Sequence, residues 1–288
     1  MTKQVVTTLP SGYWVGGAHW REARLRELTG EDHVFLMEEC RGLLPAHWVT
    51  ETLSRCVIKL GPNEATPEAI RSLTVGDREA LLLHLRRLSM GDHLTCLLSC
   101  PAPECHEKLE LEINVADVLL SPEGVVSPEH ELTVGREDGG ATAVRFRLPT
   151  GGDQEAVASL ARTDIVAAAD SLLRRCLLSV SDELNPTDEL PAEIGEQVTA
   201  RMAELDAQAQ IILLATCEAC GGSFSVAFDT ASYLIQELEA EFQRLYREIH
   251  LLAFHYHWSL TEILGMSARK RRRFLELLDD ELTRGVVQ

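Results

Sequence analysis

The order of apolar and polar positions changes rhythm several times along the chain, and each change predicts an element. Residues 1 to about 28 read as extended or irregular chain. At Thr29-Gly30-Glu31-Asp32 the pattern turns helical, with Thr29 as N-cap and acids in the first turn, and Pro45 is expected to stop that helix. A second helix is predicted over 46–60, closed by Gly61-Pro62. A short one follows in "TPEAIRSL", with Pro67 in its first turn. "VGDREALLLHLRRLSMGD" sets Leu81, Leu82, Leu85 and Leu88 on one side of a strong amphipathic helix, with Asp77 as its cap and Gly91 as its end.

Beyond Asp92 the period drops to two. "HLTCLLSC" and "KLELEINV" alternate on either side of a tight loop and predict strand, knuckle, strand. "HELTVGREDGGATAVRFRLPT" predicts a second hairpin, turning at 137–140. Thr150 to Asp153 caps a helix, and further helices are expected over 164–180 and 191–206, with the polar loop "SDELNPTDEL" between them. "QIILLATC" and "GSFSVAFD" are strands around a second knuckle. From Thr230 the chain reads as helical: a long amphipathic stretch, then a capping box at Ser259 and Glu262, then a last helix after Ser267.

These elements predict an α+β fold that is mostly helical, with a small zinc-ribbon-like β element and an inserted segment of β-hairpin and helices. The expected organisation is a helical region over 1–92, a ribbon-like module built from 93–116 and 209–229, an insertion over 117–208, and a helical arm over 230–288. The two cysteine loops stand out as self-similar segments, and no further internal repeat is expected.

Composition narrows the function classes. Among 288 residues, 45% are apolar and 25% charged, which suits a folded domain. A net charge of −18 repels nucleic acid and anionic membranes over most of the surface. No run approaches the ~18 apolar residues of a membrane span. "MTKQVVTTLPSGYW" lacks the apolar core of a secretory signal, so the expected location is the cytoplasm in which the chain is made.

The cysteines carry the clearest chemistry. A reducing compartment disfavours disulfides, and Cys40, Cys56 and Cys176 sit singly in helical stretches as small core residues. The other pattern is paired. Cys217-x2-Cys220 is followed by Gly221-Gly222, which permit the positive φ of a tight knuckle. Cys100-x4-Cys105 is a looser version, stiffened by Pro101 and Pro103. Two pairs in matching strand–knuckle–strand settings predict one structural four-cysteine site for zinc, although these ligands admit iron as well. Four thiolates close the coordination shell, so the metal is expected to join two remote parts of the chain and not to catalyse. Cys96 and His106 flank the set, read as a core cysteine and a surface histidine.

Other motifs offer less. "HYHW", ending at Trp258, reads as aromatic packing at a helical corner. "RKRRR", from Arg269 through Arg271 and Arg272 to Arg273, is the one dense basic run in an acidic chain. It reads either as a solvated helix face or as a docking patch, with Trp258 beside it. "LPTGGDQEA" lacks the Lys-Ser/Thr of a phosphate loop. No G-x-S-x-G or H-E-x-x-H occurs, and no small-molecule substrate is expected.

Taken in order, "LPSGYWVGGAHWREARLRELTGED", "LTVGDREALLLHLRRLSMGDHLTCLLSCP", "VRFRLPTGGDQEA", "CEACGGSFSVAFD" and "FHYHWSLTEILGMSARKRRRFLELL" resemble the T4-type phage baseplate protein family. That resemblance covers nearly the whole chain. It implies a non-enzymatic assembly chaperone or structural component of the baseplate, in phages or phage-like contractile injection systems, with tail hub proteins as partners. Cys100, Cys105, Cys217 and Cys220 match the family's paired knuckle cysteines, the first knuckle departing from the tighter C-P-x-C form. The alternative expectation is a zinc-ribbon nucleic-acid-binding or regulatory protein acting through the arginine run.

Overall fold

A computed structural model describes residues 2–121, 127–135, 141–181 and 191–286. The N-terminal stretch is ordered sheet: β1 (Gln4–Val15) and β2 (Ala18–Arg26) form a long antiparallel hairpin. Region 1–92 is therefore not simply helical. α1 (Gly30–Glu38) begins at the predicted Thr29 cap but stops well short of Pro45. α2 (Pro45–Cys56) runs straight into β3 (Val57–Leu60), which pairs with β4 (Asn63–Glu64). The helix expected to reach residue 60 ends at Cys56 because Val57 and Ile58 favour extended backbone and Val57 pairs with Leu25 of β2. The resulting sheet has the order β1-β2-β3-β4.

α3 (Pro67–Ser72) and α4 (Val75–Met90) follow. The cap of α4 is Thr74, whose side chain accepts from the amide of Asp77 at 3.2 Å. Asp77 lies inside the first turn and points away from the helix. It accepts from the backbone amides of Ser11 and Gly12, at 2.8 and 2.9 Å, where the β1–β2 register breaks. The carboxylate predicted to cap a helix is thus used to pin a strand.

β5 (His93–Ser99) and β6 (Lys108–Asn114) form the first cysteine hairpin, which ends in the single turn α5 (Val115–Val118). β7 (His130–Gly135), β8 (Ala141–Phe146), α6 (Gly151–Ala161), α7 (Ile165–Cys176) and β9 (Leu177–Val180) come next. Their sheet has the order β7-β8-β9. The predicted turn at 137–140 and most of the polar loop, 182–190, lie outside the described residues. α8 (Ala192–Leu205), β10 (Ile211–Thr216) and β11 (Ser223–Phe228) complete the second cysteine hairpin. α9 (Thr230–Tyr256), α10 (Leu260–Leu264) and α11 (Ala268–Val286) form the arm. No helix among the described residues is long and apolar enough to cross a membrane.

The chain repeats itself beyond its knuckles. Two strands, two helices and a third strand recur in order as β1-β2-α1-α2-β3 and β7-β8-α6-α7-β9. Both copies open their first helix with a capping box, at Thr29 with Asp32 and at Thr150 with Asp153. Arg26 grips Asp32 through two nitrogens at 2.5 and 3.0 Å, and Arg55 adds a third contact at 3.0 Å. Arg147 and Arg175 hold Asp153 with the same atoms at the same distances. A fully buried cysteine, Cys56 or Cys176, follows the second arginine in each copy. Burial pushes those thiols up to about 12 and about 11, which suits inert core residues.

Each repeated sheet is covered by the next long helix. Leu81, Leu82 and Leu85 of α4 close the first core, together with Leu234 and Leu238 from the start of α9. Ile194, Val198 and Met202 of α8 close the second. A third cluster ties the cysteine hairpins together through Leu94 and Cys96 of β5, Ile211 and Leu213 of β10, and Leu83 of α4. Burying each such side chain contributes ~1.5–3 kcal/mol.

Charge is buried in two opposite ways. Burial alone would raise Asp153, but hydrogen bonds from Arg147 and Thr150 hold it at about 2. Its stabilising effect is present above the ordinary carboxylate range and is lost as pH falls toward that value. Asp77, Glu79 and Asp206 gather at the start of α4, and no guanidinium among the described residues hydrogen-bonds them. Burial pushes them up to about 7, about 7 and about 6. The folded state then holds protons that the unfolded chain releases, so stability falls as pH rises from about 4 through 7. Asp206 accepts from the amide of Gly76 through Oδ2 at 2.9 Å, while its Oδ1 has no hydrogen-bond partner. Asp206→Asn keeps the acceptor and removes the charge. It is expected to raise stability at pH 8 by about 1–2 kcal/mol and to flatten the decline between pH 5 and pH 8. Urea midpoints at the two pH values measure this, and an unchanged pH slope would contradict it.

Candidate metal centre

Both cysteine hairpins grow out of a helix: α4 leads into β5 and α8 leads into β10. Their strands pair over seven and six residues respectively, so each knuckle projects rigidly from a two-stranded ladder. In the first, the amide of Cys100 donates to Glu107 O at 2.8 Å. In the second, the amide of Cys217 donates to Gly222 O at 2.9 Å. The residue after the second cysteine is left-handed in both loops: His106 with φ 51° and Gly221 with φ 73°. His106 is exposed and serves the turn through its backbone, where a short loop reverses direction.

The two knuckles meet. The sulfur of Cys100 lies 3.7 Å from that of Cys220, and the sulfur of Cys105 lies 3.7 Å from that of Cys217. Each contact therefore joins the first cysteine of one loop to the second cysteine of the other. All four sulfurs fall within 4.8 Å of one another. A disulfide needs about 2.05 Å, so none of these pairs is bonded. A tetrahedron with ligand bonds of ~2.3 Å has an edge of about 3.8 Å. The two 3.7 Å contacts match that edge, and with all four sulfurs within 4.8 Å of one another the residues fit a metal ion with a complete set of four ligands.

Backbone amides also favour the thiolate form. Cys217 receives them from Cys220 and Ala219, and its thiol is drawn down to about 7. Ala102 offers Cys100 and Glu107 offers Cys105 a similar hydrogen bond, but burial and the neighbouring sulfurs outweigh it, so both thiols are pushed up, that of Cys105 to about 12. Cys100 and Cys217 are buried, Cys105 is half-buried and Cys220 is exposed, so one edge of the cluster faces solvent. Cys96 sits in the core on β5 and does not join the set. Among the described residues this is the one cluster of metal-ligating side chains.

The other residues singled out in the sequence lie in the arm, away from the sulfurs. Trp258 stacks on Tyr256 at 4.6 Å between ring centres and meets Phe274 edge-on at 4.8 Å, which fastens the α9–α10 corner to α11. The arginine run is divided. Arg271 is only 2% exposed and bonds Glu248 and the carbonyl of Met266, each at 2.7 Å. Arg272 pairs with Glu241 of α9, and Arg273 with Glu276 one turn away. Arg269 faces solvent. Glu241 and Glu248 lie on α9, too far from the run in sequence to suggest this neutralisation.

A family model described as T4 bacteriophage base plate protein matches residues 1–229, a span that includes both repeated sheets and all four clustered cysteines. Neither a curated protein nor a solved structure matches the chain. With more than half of its length matched, the chain belongs to the T4 bacteriophage base plate protein family.

Proposed function

We propose that this chain is a non-enzymatic component of a phage or phage-like contractile baseplate, acting in its assembly or in its framework, and that a structural zinc bound by Cys100, Cys105, Cys217 and Cys220 holds it together. The observation that carries this reading is the meeting of two hairpins, more than a hundred residues apart, at tetrahedral sulfur spacing in a base plate family member. Four protein thiolates leave no open position for substrate or water, which favours a staple over a catalyst. Zinc suits the set better than harder cations because every donor is a soft sulfur. The metal would neutralise thiolate charge that otherwise repels across the two loops, so its binding energy becomes folding energy.

The partners that fit are other baseplate proteins, including those of the tail hub. The arm offers Trp258, Arg269 and Arg273 at or near its surface, with Arg271 and Arg272 shaping the helix that presents them. A net charge of −18 favours a basic client and solubility before assembly. Nucleic-acid binding loses its main support, because Arg271 and Arg272 are already matched by Glu248 and Glu241.

Elemental analysis of the purified chain is expected to find one zinc per molecule. Cys217→Ser with Cys220→Ser should lose the metal and lower Tm by about 10 °C or more, and a strong chelator should act on the parent chain in the same direction. A stable, metal-free parent chain would refute the staple.

Co-expression with the neighbouring tail genes should recover the chain with baseplate proteins, and its deletion should leave particles without a complete baseplate. Mass spectrometry of finished particles separates a retained component from an assembly factor that departs. Normal infectious particles after deletion would refute both roles.

A further inference from the structure

The helices that seat the two capping boxes are themselves repeated. Residues 66–78, covering α3 and the start of α4, align without a gap to residues 259–271, covering α10 and the start of α11. The shared pattern is Ser/Thr-x3-Ile-x2-Leu/Met-Ser/Thr-x3-Arg. Thr66 and Ser259 both cap the short first helix. Ile70 and Ile263 are both fully buried. Arg78 and Arg271 are 1% and 2% exposed, which is rare for arginine.

Each of these segments fits a capping box like a key in a socket. Leu73 accepts from the amide of Gly151 at 3.0 Å, and Met266 accepts from the amide of Gly30 at 3.0 Å. Thr74 bridges Thr150, and Ser267 bridges Thr29. The buried arginine then lies over the glycine. A Cβ on Gly151 would overlap the Arg78 guanidinium, and one on Gly30 would come within 3.0 Å of Arg271 Nη1. The first key therefore fills the second socket, and the arm's key fills the first socket. The family match spans both sockets and the first key but ends at residue 229, before the arm's key.

We propose that the socket at Thr29-Gly30 is a docking site for a baseplate partner presenting the same key, and that α10–α11 occupy it until such a partner displaces them. One socket and its mate are a head-to-tail contact, which can extend from molecule to molecule unless something closes it. The arm closes it here. Being tethered, the arm competes at high effective concentration, so displacement is favoured only where partners are concentrated, as on a growing assembly. The metal plays no part in this contact. The inference rests on the baseplate reading only for where the partner resides.

The test uses the full chain and a fluorescent peptide covering residues 64–81, with no baseplate component, so its failure would leave the baseplate role standing. Arg271→Ala weakens the internal key and raises the fraction of open socket, so the peptide should bind that chain about tenfold or more tightly than the parent. A peptide carrying Arg78→Ala should not bind. Gly30→Val, which fills the socket, should abolish binding even with Arg271→Ala. Under saturating peptide, hydrogen exchange should rise across 259–284 and stay unchanged across 66–90. Equal affinity for parent and Arg271→Ala chains, binding that survives Gly30→Val, or exposure of 66–90 in place of the arm would each overturn the proposal.

Discussion

Two hairpins separated by more than a hundred residues converge on four sulfurs, and that meeting ties two distant parts of the chain together. The ladders fix where each knuckle points, and the helices α4 and α8 fix where each ladder begins. Leu94, Cys96, Ile211 and Leu213 close the apolar side of the junction, but their contacts are non-directional. The sulfurs supply the direction. Without charge compensation, thiolates so close would repel one another, and the region would lose its register before it lost its core.

Away from the sulfurs, the fold spends its polar groups on fixing helix starts. A carboxylate gripped by two guanidiniums and by its own capping threonine is costly to desolvate, yet it occurs twice with matching geometry. The benefit is positional: the pair orients the first turn of α1 and α6 against the preceding strand. The acids at the start of α4 do different work. Asp77 reaches back to β1 and Asp206, just past the end of α8, reaches back to Gly76, so three segments distant in sequence share one crowded corner. That corner trades stability for connection.

Local signals were legible in the sequence. The caps at Thr29, Thr150 and Ser259 stand where hydroxyl and acid spacing put them, and both knuckles lie between alternating strands as read. Signals that depend on a partner were not. β1 and β2 lack strict alternation because the pairing shifts between Thr8 and Tyr13, which hides the strand period. Val57 to Leu60 continues a helical pattern until β2 competes for it. The repeat is confined in the sequence to one short motif, Arg-x2-Thr-Gly-x-Asp at 26–32 and 147–153, and an Arg-Cys pair at 55–56 and 175–176, while the segments around these anchors differ. Asp77 resembles a cap in spacing, and only the amides of Ser11 and Gly12 reveal its task. The base plate assignment, by contrast, was readable from ordered segments that no single motif would have secured.

α9 has 27 residues, which makes it about 40 Å long. Its first turns are rooted in the main core through Ala231, Leu234 and Leu238, and its far end is tied to α1 through α10. Its middle is held as well, through Phe242 against His33 and Tyr246 bonded to Glu38 of α1, so it is a beam stiff against swinging. Freeing the far support alone would release only the overhang beyond Tyr246, and a small bend there would sweep the tip, with its stacked Tyr256 and Trp258, through a few ångströms.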